Sequence, residues 1–151
     1  MSPVLKLLRL QRCDRTLLIK TYLLLGFIRL GLWLLPFQTL QKWLATLHHP
    51  PHADPAAPSP RISRRTLRAV VWAVNTSSRY MPGDVKCLAR ALVTQVLIYR
   101  RGYRPELKIG VAKTADCLEA HAWVELQGHV IMGLMNDLSR FTPMPSLESK
   151  M

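Results

Sequence analysis

Acidic residues are scarce in this chain: nine Asp and Glu stand against 21 Lys and Arg, a formal net charge of +12. Such a balance favours anionic partners, whether acidic peptide, nucleic acid or membrane surface. The cations are scattered rather than gathered into one tract, and no nucleic-acid motif accompanies them. Nucleic acid is therefore not an expected partner. Cysteine is scarce too. Cys13, Cys87 and Cys117 form an odd set without regular spacing, which argues against a disulfide framework and for a reducing, cytoplasmic compartment. No signal peptide is read at the start. Lys6, Arg9, Arg12 and Arg15 interrupt the apolar positions, and no small-residue cleavage site follows. Metal-ligand clusters are lacking as well. His48, His49 and His52 stand among prolines with Asp54 as their one acidic neighbour, so this run reads as solvated linker and not as a metal site.

What is present is the balance of a folded domain. Hydrophobic residues are 49% and charged residues 20% of 151, enough apolar material for one core and too much for wholesale disorder. Residues 4–47 read as helix, dominated by leucine from Leu5 to Leu25. A membrane span over Thr16–Phe37 would carry Lys20 and Arg29 on roughly opposite faces. Each cation costs about 2.5–3.5 kcal/mol near the bilayer centre. The expectation is therefore a pair of core helices broken near Pro36, whose basic, leucine-rich face is open to peripheral membrane contact. Residues 48–62 hold five prolines and no apolar period, a linker. The chain thus divides into a helical segment (1–47), the linker (48–62), a core (63–145) and a short tail (146–151).

In the core, Ser63 is the expected N-cap of a helix whose apolar stripe is Leu67, Val70, Val71 and Val74. Arg61, Arg64, Arg65 and Arg68 cluster at its start, a solvated basic face or a weak pointer to an anionic partner. Met81-Pro82-Gly83 breaks that helix, and Asp84 is the expected N-cap of the next. This places Cys87 in a first helical turn, among free N–H groups, the setting that nucleophilic cysteines use. Leu88, Ala91, Leu92 and Val96 would anchor the helix, and Gly102 would end it. Two alternating runs follow, ELKIGVAK and AHAWVEL. In the second, His121, Trp123 and Glu125 share one face, while Ala122, Val124 and Leu126 share the other. Gln127-Gly128 turns the chain, and HVIMG returns as a paired strand. The order reads as α+β: a Cys-bearing helix packed on a small antiparallel sheet, with a helical segment in front. Cys87 and His121 are the nucleophile and base that thiolate acyl chemistry requires, held far apart in sequence.

Taken jointly, CLARAL, RRGYRPELKIGV, EAHAWVEL and FTPM resemble the transglutaminase-like leader peptidases of lasso peptide biosynthesis. The likeness is to the split B-type form that lacks its own leader-recognition domain, and it covers most of Arg64–Pro143. The resemblance implies a papain-like or transglutaminase-like core with Cys87 as nucleophile and His121 as base. It implies hydrolysis of one peptide bond in a ribosomally made precursor, with no metal or organic cofactor. The implied partners are the precursor peptide, a leader-recognition protein and an ATP-dependent lasso cyclase. In that family an Asp orients the His from the neighbouring strand. Here a turn at Gln127-Gly128 sets Gly133 and Leu134 opposite His121, and neither side chain can accept a hydrogen bond. Asp137 is the expected third catalytic residue, with Asn136 as the alternative. A non-enzymatic peptide- or membrane-binding adaptor and acyl transfer to an amine are the rival readings.

Overall fold

The computed structural model describes residues 12–47 and 63–144. The Pro-rich linker, its histidines, the first turns read as helix and the tail lie outside the described residues. Helix α1 (Arg12–Leu34) buries Leu18, Thr21, Leu25, Ile28 and Gly31, a three-to-four spacing that makes one face. The Thr21 hydroxyl donates to the carbonyl of Leu17 at 2.7 Å, so its burial leaves no orphan donor. Pro36 cannot continue the helix ladder, and the break falls there as expected. Its carbonyl instead accepts from the amides of Thr39 and Leu40 at 2.9 and 3.1 Å, opening α2 (Phe37–Leu47). Gly31 lets α2 fold back tightly, since a Cβ there would stand 2.8 Å from Leu40 Cδ1.

Helix α3 (Arg64–Tyr80) follows Ser63, which has the extended backbone of an N-cap but makes no side-chain capping bond. Val70 and Val74 of the expected stripe are fully buried, and Leu67 and Val71 pack at the border of the same core. Helix α4 (Cys87–Tyr99) is the centre of the molecule. Ala89 and every residue from Ala91 to Ile98 are buried, as befits a helix apolar on all sides. Leu25 and Ile28 of α1, Leu40 and Leu44 of α2, and Val70 and Val74 of α3 share one core with it. The expected cap at Asp84 needs correction. Lys86 occupies the N-cap position, without a side-chain capping bond, and the helix begins at Cys87 itself. The physical reason lies in the loop before it. Gly83 takes a left-handed φ of 82°, the Arg29 guanidinium donates to the Pro82 carbonyl, and Val85 tucks against the core. The chain stays irregular over residues 84–86, so helical geometry starts two residues later than an Asp84 cap would give.

The other layer is an antiparallel sheet of β1 (Glu106–Thr114), β2 (Cys117–Leu126), β3 (His129–Met132) and β4 (Thr142–Pro143), in the order β3-β2-β1-β4. Ala122, Val124 and Leu126 of β2 face the helices. Trp123 lies on the other face in a small cluster with Ala112 and Phe141. Gln127 and Gly128 both have positive φ, 51° and 78°, the mark of the two-residue hairpin turn expected at that dipeptide. A bulge between Val124 and Glu125 shifts the β2–β3 register. The architecture is α+β, a Cys-bearing helix laid on a small antiparallel sheet with an N-terminal helical part, as the sequence led us to expect.

Candidate active site

Cys87 is the first residue of α4 and a free, half-buried thiol. Its backbone N–H stands at a helix start, where no intrahelical acceptor exists. Cys13 and Cys117 are exposed free thiols elsewhere on the molecule.

His121 lies in β2, half-buried between two aromatic rings. Trp123 stacks on it at a centroid distance of 6.2 Å and an interplanar angle of 16°. Phe141 meets it at 5.6 Å, tilted by 46°. The ring Nε2 stands 2.7 Å from the backbone carbonyl oxygen of Gly133. A carbonyl only accepts, so Nε2 carries the proton and donates. In the neutral imidazole that leaves Nδ1 as the acceptor. The ring is thereby held in the tautomer that a general base needs.

Gly133 can present that carbonyl because it is glycine. Its φ is 84°, and a Cβ would meet the Ala122 carbonyl oxygen at 2.8 Å and Trp123 Cβ at 3.0 Å. The chain leaves β3 at Met132 and crosses directly over β2. The expectation that Gly133 falls near His121 was sound. What it overlooked is that a main-chain oxygen can serve where a side chain cannot. Positive φ is not legible at a lone glycine in sequence, so the role of Gly133 could not be read there.

Asp137 does not bond the ring. Its Oδ2 pairs with Arg140 Nε at 2.8 Å, and Arg140 Nη2 reaches Glu119 Oε2 at 2.6 Å. The same guanidinium lies 5.1 Å from the centre of the Phe141 ring. Asn136 is exposed. Glu125, on the His121 face of β2, accepts from Trp123 Nε1 at 2.8 Å, fixing the indole that backs the imidazole.

The start of α4 and the imidazole converge on one point of the chain, Met132-Gly133. Arg90, one turn beyond Cys87, directs a guanidinium nitrogen at the Met132 sulfur, 3.9 Å away, while the ring takes the next carbonyl. Arg90 also donates to Asn75 of α3, and its buried Nε has no partner among the described residues. No hydrogen bond joins Cys87 Sγ to the His121 ring among the described residues. A groove of about 540 Å³ runs between α1 and the start of α4, with Cys87 not among its lining residues. Its walls include Leu30 and Trp33 on one side and Asp84, Lys86 and Ala89 on the other. No group of three or more His, Cys, Asp or Glu residues able to hold a metal occurs among the described residues.

Comparison with known proteins agrees with this architecture. Residues 31–146 match the family described as the transglutaminase-like superfamily. No curated protein and no solved structure matches the chain.

Proposed function

Since the chain belongs to the transglutaminase-like superfamily, we propose that it is a cysteine peptidase that removes the leader from a lasso-peptide precursor. The observation that carries this reading is the His121–Gly133 bond at 2.7 Å, which leaves Nδ1 free to take a proton. Nδ1 accepts the thiol proton of Cys87, and the sulfur adds to the carbonyl carbon of the scissile bond. The Cys87 backbone N–H, at a helix start where no intrahelical acceptor exists, helps hold the resulting oxyanion. The imidazolium then gives its proton to the leaving amine as the C–N bond breaks, leaving a thioester. Water, deprotonated by His121, hydrolyses the thioester and restores the thiol. The Gly133 carbonyl takes the orienting role for which Asp137 is the sequence candidate. A leader-recognition protein delivers the precursor, and an ATP-dependent cyclase closes the ring of the freed core peptide. The motifs that resemble leader peptidases support this substrate choice.

The direct test is mass spectrometry of a precursor peptide incubated with this chain and its leader-binding partner. Two fragments whose masses sum to precursor plus one water are expected. An intact precursor under these conditions sinks the reading.

A non-enzymatic peptide-binding adaptor is favoured by a different observation: among the described residues, no hydrogen bond ties the His121 ring to Cys87. An electrophilic substrate analogue separates the two readings. Selective alkylation of Cys87 over the exposed Cys13 and Cys117 supports the peptidase, and equal labelling of all three supports the adaptor.

A further inference from the structure

Helix α1 is apolar on two opposite faces, and the fold covers only one of them. Leu18, Leu25 and Ile28 enter the core. At about 100° per residue, Ile19, Leu23, Phe27, Leu30, Trp33 and Leu34 fall on the opposite side. All six are exposed, Leu23 by 66% and Trp33 by 80%. They form a continuous stripe over four turns, and Trp43 of α2 adds a further exposed indole at 58%.

The helix is long and apolar enough to cross a membrane by length and composition. Crossing would pull Leu25 and Ile28, both fully buried, out of the core they share with α3 and α4. Lying in the plane of a bilayer surface leaves that core whole and buries only the outer stripe. The charge pattern selects the kind of surface. Over residues 12–47 the chain carries Arg12, Arg15, Lys20, Arg29 and Lys42 against a single acid, Asp14. Arg12, Lys20 and Lys42 are exposed. A folded partner would have to offer acids at matching spacings. A fluid layer of anionic headgroups meets cations at any spacing. Trp33, at the end of the stripe, has the amphipathic indole that settles at headgroup depth.

We infer that α1 docks this protein on an anionic membrane surface, with the Ile19–Leu34 stripe inserted about 5–10 Å into the headgroup and acyl boundary. Leu30 and Trp33 also line the groove between α1 and the start of α4, so docking sets the mouth of that groove against the bilayer. The inference stands apart from the peptidase reading, because it needs no turnover.

The test is flotation of the full chain with vesicles of phosphatidylcholine alone and of phosphatidylcholine mixed with phosphatidylglycerol. Binding to the mixed vesicles, weakened by salt, is expected. Brominated acyl chains should quench fluorescence that Trp33→Phe removes. Lys20→Gln should weaken binding about fivefold. Leu23→Glu with Phe27→Glu should weaken it at least about a hundredfold, with an unchanged circular dichroism spectrum. Should that double variant unfold, the quenching seen with the wild-type chain decides alone. Absence of flotation, flotation without quenching of Trp33, or full binding by a folded double variant overturns the inference. So does self-association of the wild-type chain that the double variant abolishes, since the stripe would then be covered by a second copy.

Discussion

His121 donates from Nε2 to the main-chain oxygen of Gly133 across 2.7 Å, and no other residue type fits at position 133. The Cβ of an alanine would overlap the Ala122 carbonyl oxygen at 2.8 Å, at a φ of 84° that side chains rarely adopt. Gly133→Ala should therefore cost about 1–3 kcal/mol of stability. It should also lower kcat more than it raises KM, because it disturbs the orientation of the base rather than docking. Thermal unfolding and steady-state cleavage kinetics measure the two effects. A variant with unchanged kcat would show that this carbonyl does not position the ring.

Cys87→Ala should abolish precursor cleavage in the presence of the leader-binding partner. Cys13→Ala and Cys117→Ala should cleave as the wild type does, because both thiols are exposed and neither is the residue that opens α4. Cleavage by Cys87→Ala at the wild-type rate would remove the thiol from the mechanism.

Asp137 and Asn136 can be told apart from Gly133 by single substitutions. Asp137→Ala releases Arg140 from one of its two carboxylates. An exposed ion pair contributes only ~0–1 kcal/mol, so turnover should stay within about fivefold of wild type. Asn136→Ala should be smaller still. A strong fall in kcat with KM unchanged for Asp137→Ala would return the orienting role to that carboxylate, after a rearrangement that frees it from Arg140.

Cleavage should depend on a partner. All four described helices contribute to the one core that includes α4, which leaves none to form a separate leader-binding unit among the described residues. Titrating the leader-recognition protein into a fixed amount of enzyme and precursor should raise the rate to a plateau. Efficient cleavage of dilute precursor by the purified chain alone would contradict this.

Local chemistry made much of this fold legible. Pro36 has no N–H to continue a helix, so the break in the N-terminal helices could be read directly. The alternation of HAWVEL set Ala122, Val124 and Leu126 on one face and Trp123 on the other, because strand side chains alternate whatever they pack against, and the first of these faces is the one that meets the helices. Gln127-Gly128 announced a hairpin, and both residues adopt the positive φ that such a turn requires. At the start of α4 the local signal misled. Asp84 has the chemistry of a cap, but Arg29, 53 positions from Pro82 in the chain, ties down the loop, and the helix begins at Cys87.

The sequence by itself determined the order of helices α1–α4 and strands β1–β3, the β2–β3 hairpin, a helix-start Cys87 and a strand His121. These follow from backbone preferences and side-chain alternation, which act between near neighbours. Only the tertiary structure decided which face of α1 is covered, because leucines and other large apolar residues surround that helix and periodicity cannot choose between Leu25 and Leu23. Only it decided what holds His121. The acceptor is a main-chain oxygen, common to every residue, and it becomes specific when a bulge and a left-handed glycine carry it across the neighbouring strand.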